Sequence, residues 1–295
     1  MTYDVKLTEL IHILKPKELS AMAALYVASY VSSSTASQGG LGDSAAFLTG
    51  FAAVLIAVGG ANALNCYLDR DVDAVMARTM RRPLPRGALS PKSALLFSLI
   101  LLSAALVSSI FLGVLPFIFF TVGVYCYIGL YTILLKRRTS LNVFATAPSV
   151  ASPAWLGWIM GGSPINFVAL IIGVMIATWG LFHLWSLAYA FKSDYSKSGI
   201  PMLTAILPPA TSERIIFASL VALVALSYIL GCWAKTPLFS SIITIINALV
   251  VFLGLKFLLT PSRKASWRLF KVSAPYIIII LSIFSLDNYL FYTAH

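Results

Sequence analysis

Three oxygen-bearing side chains recur at a spacing of four residues directly after an apolar segment. Asn65, Asp69 and Asp73 would lie along one face of a helix that continues from that segment. Carboxylate and amide oxygens are ligands for Mg²⁺, which is usually shared with substrate phosphates. The alternative is a solvated helix end whose carboxylates pair with nearby arginines, which is the commoner arrangement for an isolated pair of aspartates.

Cationic residues concentrate close to these carboxylates. They lie in one following loop and at the end of a later apolar segment: Arg78, Arg81, Arg82, Arg86, Lys136, Arg137 and Arg138. Such groups bind phosphate oxygens, and they stabilise a diphosphate as it leaves. The chain has only ten acidic residues, and three of them fall between positions 69 and 73, which favours a magnesium and diphosphate site.

A third polar cluster follows another apolar segment. His183 lies late in that segment, and Asp194, Tyr195 and Lys197 follow in the next loop. Charged clusters beside long apolar segments suit an amphiphile with an ionic head and a hydrocarbon tail. A polyprenyl diphosphate, a phospholipid and a lipid-linked sugar phosphate all meet that description.

The segments that must position these clusters are apolar almost from end to end. Of 295 residues, 59% are hydrophobic and 11% are charged, against roughly 25% charged in soluble domains. Nine apolar runs are near the length that crosses a bilayer, and the first is the weakest because of its serines. They cover 19–33, 45–64, 93–113, 115–135, 141–160, 166–190, 214–233, 237–259 and 274–293. The sequence predicts an all-α, polytopic membrane protein with nine transmembrane helices, forming a single domain over 1–295 without a cleaved signal peptide.

The distribution of cations predicts the orientation. With a cytoplasmic N-terminus, 20 of the 21 Lys and Arg residues fall in inner segments, and only Lys235 lies outside. The net charge of +11 is therefore a topology signal. The cations are scattered over five inner segments, so no nucleic-acid surface is predicted.

The acidic motif and its loops resemble a known family. Asn65 to Asp73 fits the NxxxDxxxD motif of the UbiA intramembrane prenyltransferase superfamily. Within it, Arg78 to Gly87 resembles the RTxxRPLxxG run of the protoheme IX farnesyltransferase family. Tyr131 to Asn142 resembles that family's YTxxLKRxTxxN segment, and Lys15-Pro16-Lys17 resembles its KPR entry.

Two further segments carry the likeness to the heme-specific branch. Phe182 to Ala188 resembles its HFWALA element, and Asp194 to Leu203 resembles its DYxxxGIPML loop. The likeness covers about residues 15–203. Ser193 and Ser198 stand where the family or its quinone-pathway relatives have acidic residues, so a second magnesium site is not predicted.

The resemblance implies nine transmembrane helices around a central cavity in the plasma membrane, and transfer of a farnesyl group from farnesyl diphosphate to a vinyl group of heme b. Asn65, Asp69 and Asp73 would hold magnesium, while Arg78, Arg82, Lys136 and Arg137 would bind the diphosphate. His183 is the candidate for heme iron, although a lone helix histidine is more often only hydrogen-bonded.

Two other functions remain open at the level of sequence. A prenyltransferase of the same superfamily could use the same diphosphate site with a quinone precursor or a lipid as acceptor, although His183 and the GIPML loop disfavour it. A transporter would need buried charges in mid-helix. Such charges are nearly absent here, apart from Asp287 near the outer end.

Overall fold

The computed structural model describes residues 7–294, and each of the nine apolar segments lies in a helix. These helices are α1 Pro16–Gln38, α2 Ser44–Leu68, α3 Pro91–Leu112, α4 Val114–Leu135, α5 Ala147–Met160, α6 Phe167–Ala190, α7 Pro209–Gly231, α8 Pro237–Leu259 and α9 Arg263–Ala294. Short helical turns cover Leu7–Ile13, Arg70–Val75, Asn142–Thr146, Lys192–Ser198 and Leu203–Ile206. Residues 7–294 contain no strand, so the all-α prediction is confirmed.

Seven of the nine helices are long and apolar enough to cross a membrane, namely α2, α3, α4, α6, α7, α8 and α9. The chain is therefore a multi-pass membrane protein. The other two helices fail for different reasons. Helix α5 is too short, with only 14 residues. Helix α1 is long enough, but its run of serines lowers its mean hydropathy.

The serines of α1 face protein. Ser32 shares a hydrogen bond of 2.9 Å with Ser285 of α9. Ser33 donates to the carbonyl of Trp158 in α5 at 2.5 Å and accepts from the amide of Ser163 at 3.1 Å. Because these hydroxyls find partners inside the protein, the helix continues to Gln38, past the predicted end at residue 33.

Gly157 of α5, and Gly161 directly after its last residue, let this segment approach α1 closely. A methyl group added at Gly157 would lie 2.3 Å from the carbonyl oxygen of Tyr26, and one at Gly161 would lie 2.7 Å from that of Tyr30. Small residues four apart are the usual device for close helix contacts in membranes. Helix α5, although short, is thereby fixed against α1.

Helix α9 begins eleven residues before the predicted start at residue 274. The positions from 263 to 273 lie between the last two predicted apolar runs, in an inner segment that carries Arg263, Lys264, Arg268 and Lys271. They are helical, since Ser266, Leu269 and Ser273 on one side are buried against the bundle. This extension supplies part of the wall of the site.

Candidate functional site

A cavity of about 650 Å³ lies between the helices. Polar residues line one end, and apolar residues such as Phe119, Phe120 and Leu156 line the rest. Along α4 the lining extends from Pro116 to Lys136, a distance of roughly 30 Å along a helix axis. The space therefore suits a long apolar chain with a charged head.

Asp73 lines the polar end of the cavity, and Asp69 is buried just behind the lining, where α2 gives way to the turn Arg70–Val75. The backbone bends at Asp69, whose φ of −92° and ψ of 5° interrupt the helix. The backbone amide of Asp69 donates to the carbonyl of Asn65 at 2.9 Å, and the amide of Asp73 donates to the carbonyl of Asp69 at 2.8 Å. These two bonds keep the spacing of four residues that a helix has. The backbone register from Asn65 to Asp73 is therefore kept across the bend, and the Asn65 side chain contacts Asp69. Asn65 and Asp73 line the cavity, whereas Asp69 does not.

Asp69 is buried and has one oxygen without a partner. Its Oδ2 accepts from Lys136 Nζ at 2.5 Å and from Asn65 Nδ2 at 2.7 Å. Its Oδ1 is buried and makes no hydrogen bond with the described residues. An unsatisfied carboxylate oxygen costs free energy, so this atom is prepared for a further cation or donor.

Asp73 repeats this arrangement one turn later. Its Oδ2 accepts from Arg82 Nη1 at 2.7 Å, while its Oδ1 has no hydrogen-bond partner among residues 7–294. The hydroxyl of Thr79 donates to the Asp73 carbonyl at 3.1 Å and fixes the loop that carries Arg82. Each carboxylate thus pairs one oxygen with a cationic side chain, Lys136 or Arg82, and its other oxygen has no hydrogen-bond partner.

These atoms fit a magnesium ion that is shared with a substrate. Mg²⁺ is commonly held by one or two carboxylates together with water and substrate phosphates. Asp69 Oδ1 and Asp73 Oδ1 are the two candidate ligands, whereas the amide oxygen of Asn65 already accepts from Lys15 at 2.8 Å. Among residues 7–294 no three His, Cys, Asp or Glu side chains are grouped to bind a metal alone.

Lys15 is a site residue that the sequence reasoning missed. Its Nζ donates to Asn65 Oδ1 at 2.8 Å and to the Tyr127 hydroxyl at 3.2 Å, and it forms an ion pair with Glu18 at 3.5 Å. Its φ of 53° is the one positive value at a non-glycine residue among positions 7–294. Strained backbone of this kind persists where structure around it demands it, often at functional sites. The only sequence signal was the Lys15-Pro16-Lys17 entry.

The second half of α4 widens into a π-helix over Tyr125–Leu135. Tyr127 and Tyr131 stack with ring centres 6.0 Å apart, and both line the cavity. The Lys136 amide donates to the Tyr131 carbonyl at 2.8 Å, five residues back, which aims Lys136 at Asp69. A π-helical stretch is frequent at functional sites.

The remaining predicted diphosphate residues occupy different places. Arg78 lines the cavity and is exposed, and its side chain has no hydrogen-bond or ion-pair partner among the described residues. Arg137 lies outside the cavity lining and forms a bidentate pair with Asp71 through two contacts of 2.7 Å. Those hydrogen bonds from Arg137 lower the pKa of Asp71 to about 2. The structure therefore does not bring Arg137 together with the other site residues.

The loop predicted near the site contributes in part. Asp194 Oδ2 accepts from the backbone amide of Arg78 at 3.1 Å, which joins the two loops. Tyr195 lines the cavity, whereas Lys197 is exposed and lies outside its lining. Asp194 therefore positions the arginine loop.

His183 lines the cavity on α6 and is held by α9. Its Nδ1 lies 2.6 Å from Ser273 Oγ, and its ring contacts Phe270 and Trp179 at centroid distances of 4.1 and 5.1 Å. Ser273 Oγ also donates its one proton to the carbonyl of Phe270 at 2.7 Å, so it accepts from Nδ1–H of the histidine. This tautomer, inferred from the hydrogen bonds, leaves the lone pair of Nε2 free for a ligand.

Comparison with known sequences identifies relatives over most of the chain. The profile of the UbiA prenyltransferase family matches residues 24–281. The protoheme IX farnesyltransferase of Pyrobaculum neutrophilum is 36% identical over 235 residues, 78% of this chain and 84% of the relative. Protoheme IX farnesyltransferase 2 of Pyrobaculum aerophilum is 30% identical over 282 residues, 95% of this chain and 98% of the relative. The match includes the last third, where the motifs had no counterpart.

Solved structures share the fold. A structure of digeranylgeranylglyceryl phosphate synthase superposes with a TM-score of 0.73 at 19% identity, covering 98% of this chain and 99% of that one. A UbiA homologue from Archaeoglobus fulgidus bound to GPP and Mg²⁺ superposes with a TM-score of 0.68 at 15% identity, covering 94% and 99%. At these identities the likeness establishes the fold alone.

Proposed function

The chain belongs to the UbiA prenyltransferase family, and we propose that it is a protoheme IX farnesyltransferase that joins the farnesyl group of farnesyl diphosphate to a vinyl group of heme b. One observation carries the proposal: a single cavity holds carboxylates and cations at one end, and a histidine with a free ring nitrogen on its wall. The relatives named protoheme IX farnesyltransferase support it.

The diphosphate is bound at the polar end of the cavity. Arg78, Arg82 and Lys136 reach its oxygens, and Lys15 joins them. Arg137 lies outside the cavity lining and pairs with Asp71, so it is not among these contacts. The apolar remainder of the cavity binds the farnesyl chain and keeps bulk water from the reacting carbon.

Asp69 and Asp73 would hold magnesium through their free oxygens, and Asn65 fixes Asp69. A magnesium ion at this place would supply positive charge beside the diphosphate oxygens. Lys15, Arg82 and Lys136 add fixed positive charge at the same oxygens, which stabilises the leaving group further.

The heme is bound beside α6 and α9 with His183 as axial ligand. The carbon–oxygen bond of the diphosphate breaks and its electron pair leaves with the diphosphate. The terminal vinyl carbon then bonds to the allylic carbon. Water captures the resulting cation, so heme gains one farnesyl group and one hydroxyl group, and a proton passes to the diphosphate.

The direct test is incubation of the purified protein with magnesium, farnesyl diphosphate and heme b, followed by mass analysis. We expect a heme heavier by one farnesyl and one hydroxyl group. Heme that stays unmodified while farnesyl diphosphate is consumed would contradict the proposed acceptor.

Lys15 offers a second test of the diphosphate site. Because the half-buried Lys15 donates to Asn65 and Tyr127 at the cavity wall, Lys15→Gln should lower kcat/KM for farnesyl diphosphate about 100-fold, the usual order for one charge-stabilising donor. Lys92→Gln, at an exposed lysine outside the cavity, is the matched control and should leave the rate unchanged. Equal rates for both variants would remove Lys15 from the site.

We further propose that all nine helices cross the plasma membrane as one domain, with a cytoplasmic N-terminus. The expectation follows from the cation distribution. In a chain lacking Cys66, Cys126 and Cys232, a cysteine at Arg81 should react with a membrane-impermeant maleimide only from the cytoplasmic side. A cysteine at Lys235 is the control and should react only from outside. Labelling of position 81 from outside would refute this topology.

A further inference from the structure

The cytoplasmic half of α9 presents one face to the cavity. Trp267, Phe270, Lys271 and Ala274 all line it, at the spacing of residues that share a helix face. Lys271 is the one cation of this face. Its side chain is exposed and makes no hydrogen bond or ion pair with the described residues.

A row of aromatic rings runs along the wall beside Lys271. Trp267 and Phe270 stack with centroids 4.8 Å apart and planes 13° apart. Phe270 contacts His183, and His183 contacts Trp179, at 4.1 and 5.1 Å. These rings provide a wall of aromatic surface for a flat macrocycle, with the histidine within the row and the ammonium of Lys271 at its exposed edge.

The charges around the cavity leave Lys271 available for an anion. The acidic residues that line the cavity are Glu18 and Asp73. Each is in an ion pair, with Lys15 at 3.5 Å and with Arg82 at 2.7 Å. A substrate carboxylate near Lys271 would thus meet a cation that has no protein partner among residues 7–294.

We propose that Lys271 binds the propionate carboxylates of the porphyrin acceptor and so decides which edge of the macrocycle faces the prenyl group. The inference rests on the proposed function and adds the determinant of acceptor orientation. In protoheme the two vinyl groups lie on the edge opposite the two propionates. Holding the propionates at the exposed edge while His183 holds the iron turns the vinyl edge toward the interior, where the farnesyl chain lies.

The test separates propionate binding from binding of the macrocycle. Wild type and Lys271→Gln are titrated in detergent with iron protoporphyrin IX and with its dimethyl ester, and binding is followed by absorbance. Lys271→Gln should raise the Kd for the free acid about 10-fold, equivalent to about 1.4 kcal/mol of binding free energy, as expected when a charge-assisted contact is lost. For the ester, which has no carboxylates, wild type and variant should bind equally.

Three controls keep the result specific. Lys264→Gln removes an exposed lysine from the same helix outside the cavity and should leave both affinities unchanged. Lys271→Arg should restore binding of the free acid, and Lys271→Glu should weaken it beyond the Gln variant. Binding of farnesyl diphosphate should be unaffected in these three control variants and in Lys271→Gln.

The outcomes distinguish the inference from the function on which it rests. Equal loss of acid and ester binding in Lys271→Gln, or no loss of either, would overturn the role of Lys271 while leaving heme as the acceptor. Loss of farnesyl diphosphate binding would move Lys271 to the diphosphate site and also overturn it. A wild-type protein that binds neither porphyrin would refute the proposed acceptor and this inference together.

Discussion

Asp69→Asn is expected to lower turnover by about 1000-fold or more while the protein stays folded in the membrane. The substitution keeps the volume of the side chain and a hydrogen-bond acceptor for Lys136. It removes the negative charge and converts a hard anionic oxygen, now without a partner at Oδ1, into an amide. Asp73→Asn should act similarly, because its free oxygen is the second proposed ligand.

Asp71→Asn is the matched control for this experiment. Asp71 lies between the two ligands in sequence but is exposed and faces Arg137 outside the cavity. Its loss should cost no more than a surface ion pair, up to about 1 kcal/mol of stability, and leave most activity. Near-normal product formation by Asp69→Asn, with extraction and membrane content equal to wild type, would contradict the magnesium assignment.

His183→Ala is expected to abolish the spectrum of axially ligated heme while leaving binding of farnesyl diphosphate intact. The free Nε2 is the proposed ligand, and axial ligation is a main control on the electronic state of the iron. The proposed diphosphate contacts come from residues on other segments, so the two binding events should separate. Absorbance titration with heme, paired with a radiolabelled prenyl diphosphate binding assay, measures both.

His12→Ala and Ser273→Ala complete this test. His12 is exposed near Glu9 and lies outside the cavity, so its loss should change neither assay. Ser273→Ala removes the acceptor that fixes the histidine tautomer and should weaken heme affinity about 10-fold or more while keeping an axial signal. If His183 only stabilises the contact between α6 and α9, His183→Ala would lower the melting temperature and leave the spectrum of bound heme unchanged.

The acidic motif and the helical segments were accessible from sequence because their signals are local. Apolar runs of membrane length need no knowledge of partners, and carboxylates four apart in a chain with so few acids are conspicuous. The alignment of Asn65 with Asp69 follows from helix geometry, and the structure retains it through the bend at Asp69.

The missed residues depend on contacts between distant segments. Lys15 meets Asn65 across 50 positions, and Ser273 meets His183 across 90, which no local pattern contains. Arg137 was grouped with Lys136 as a phosphate ligand. Adjacent residues of a helix point about 100° apart, however, so only Lys136 faces Asp69.

The start of α9 was misread for a related reason. Its cations resemble an inner loop under the rule that places Lys and Arg on the cytoplasmic side. The spacing of Trp267, Phe270 and Ala274 was a helical signal within the same stretch, but the charges obscured it. The segment is a helix and also carries inner-side cations, because a helix that ends at the membrane surface can place cations outward and aromatic residues against a cavity.

The most direct test of the central claim is a competition between acceptors. Purified protein with magnesium and farnesyl diphosphate receives heme b and an aromatic quinone precursor together at equal concentration, and all products are identified by mass. The account predicts that heme alone gains a farnesyl and a hydroxyl group, and that the quinone precursor stays unchanged. A prenylated quinone precursor beside unmodified heme would contradict it.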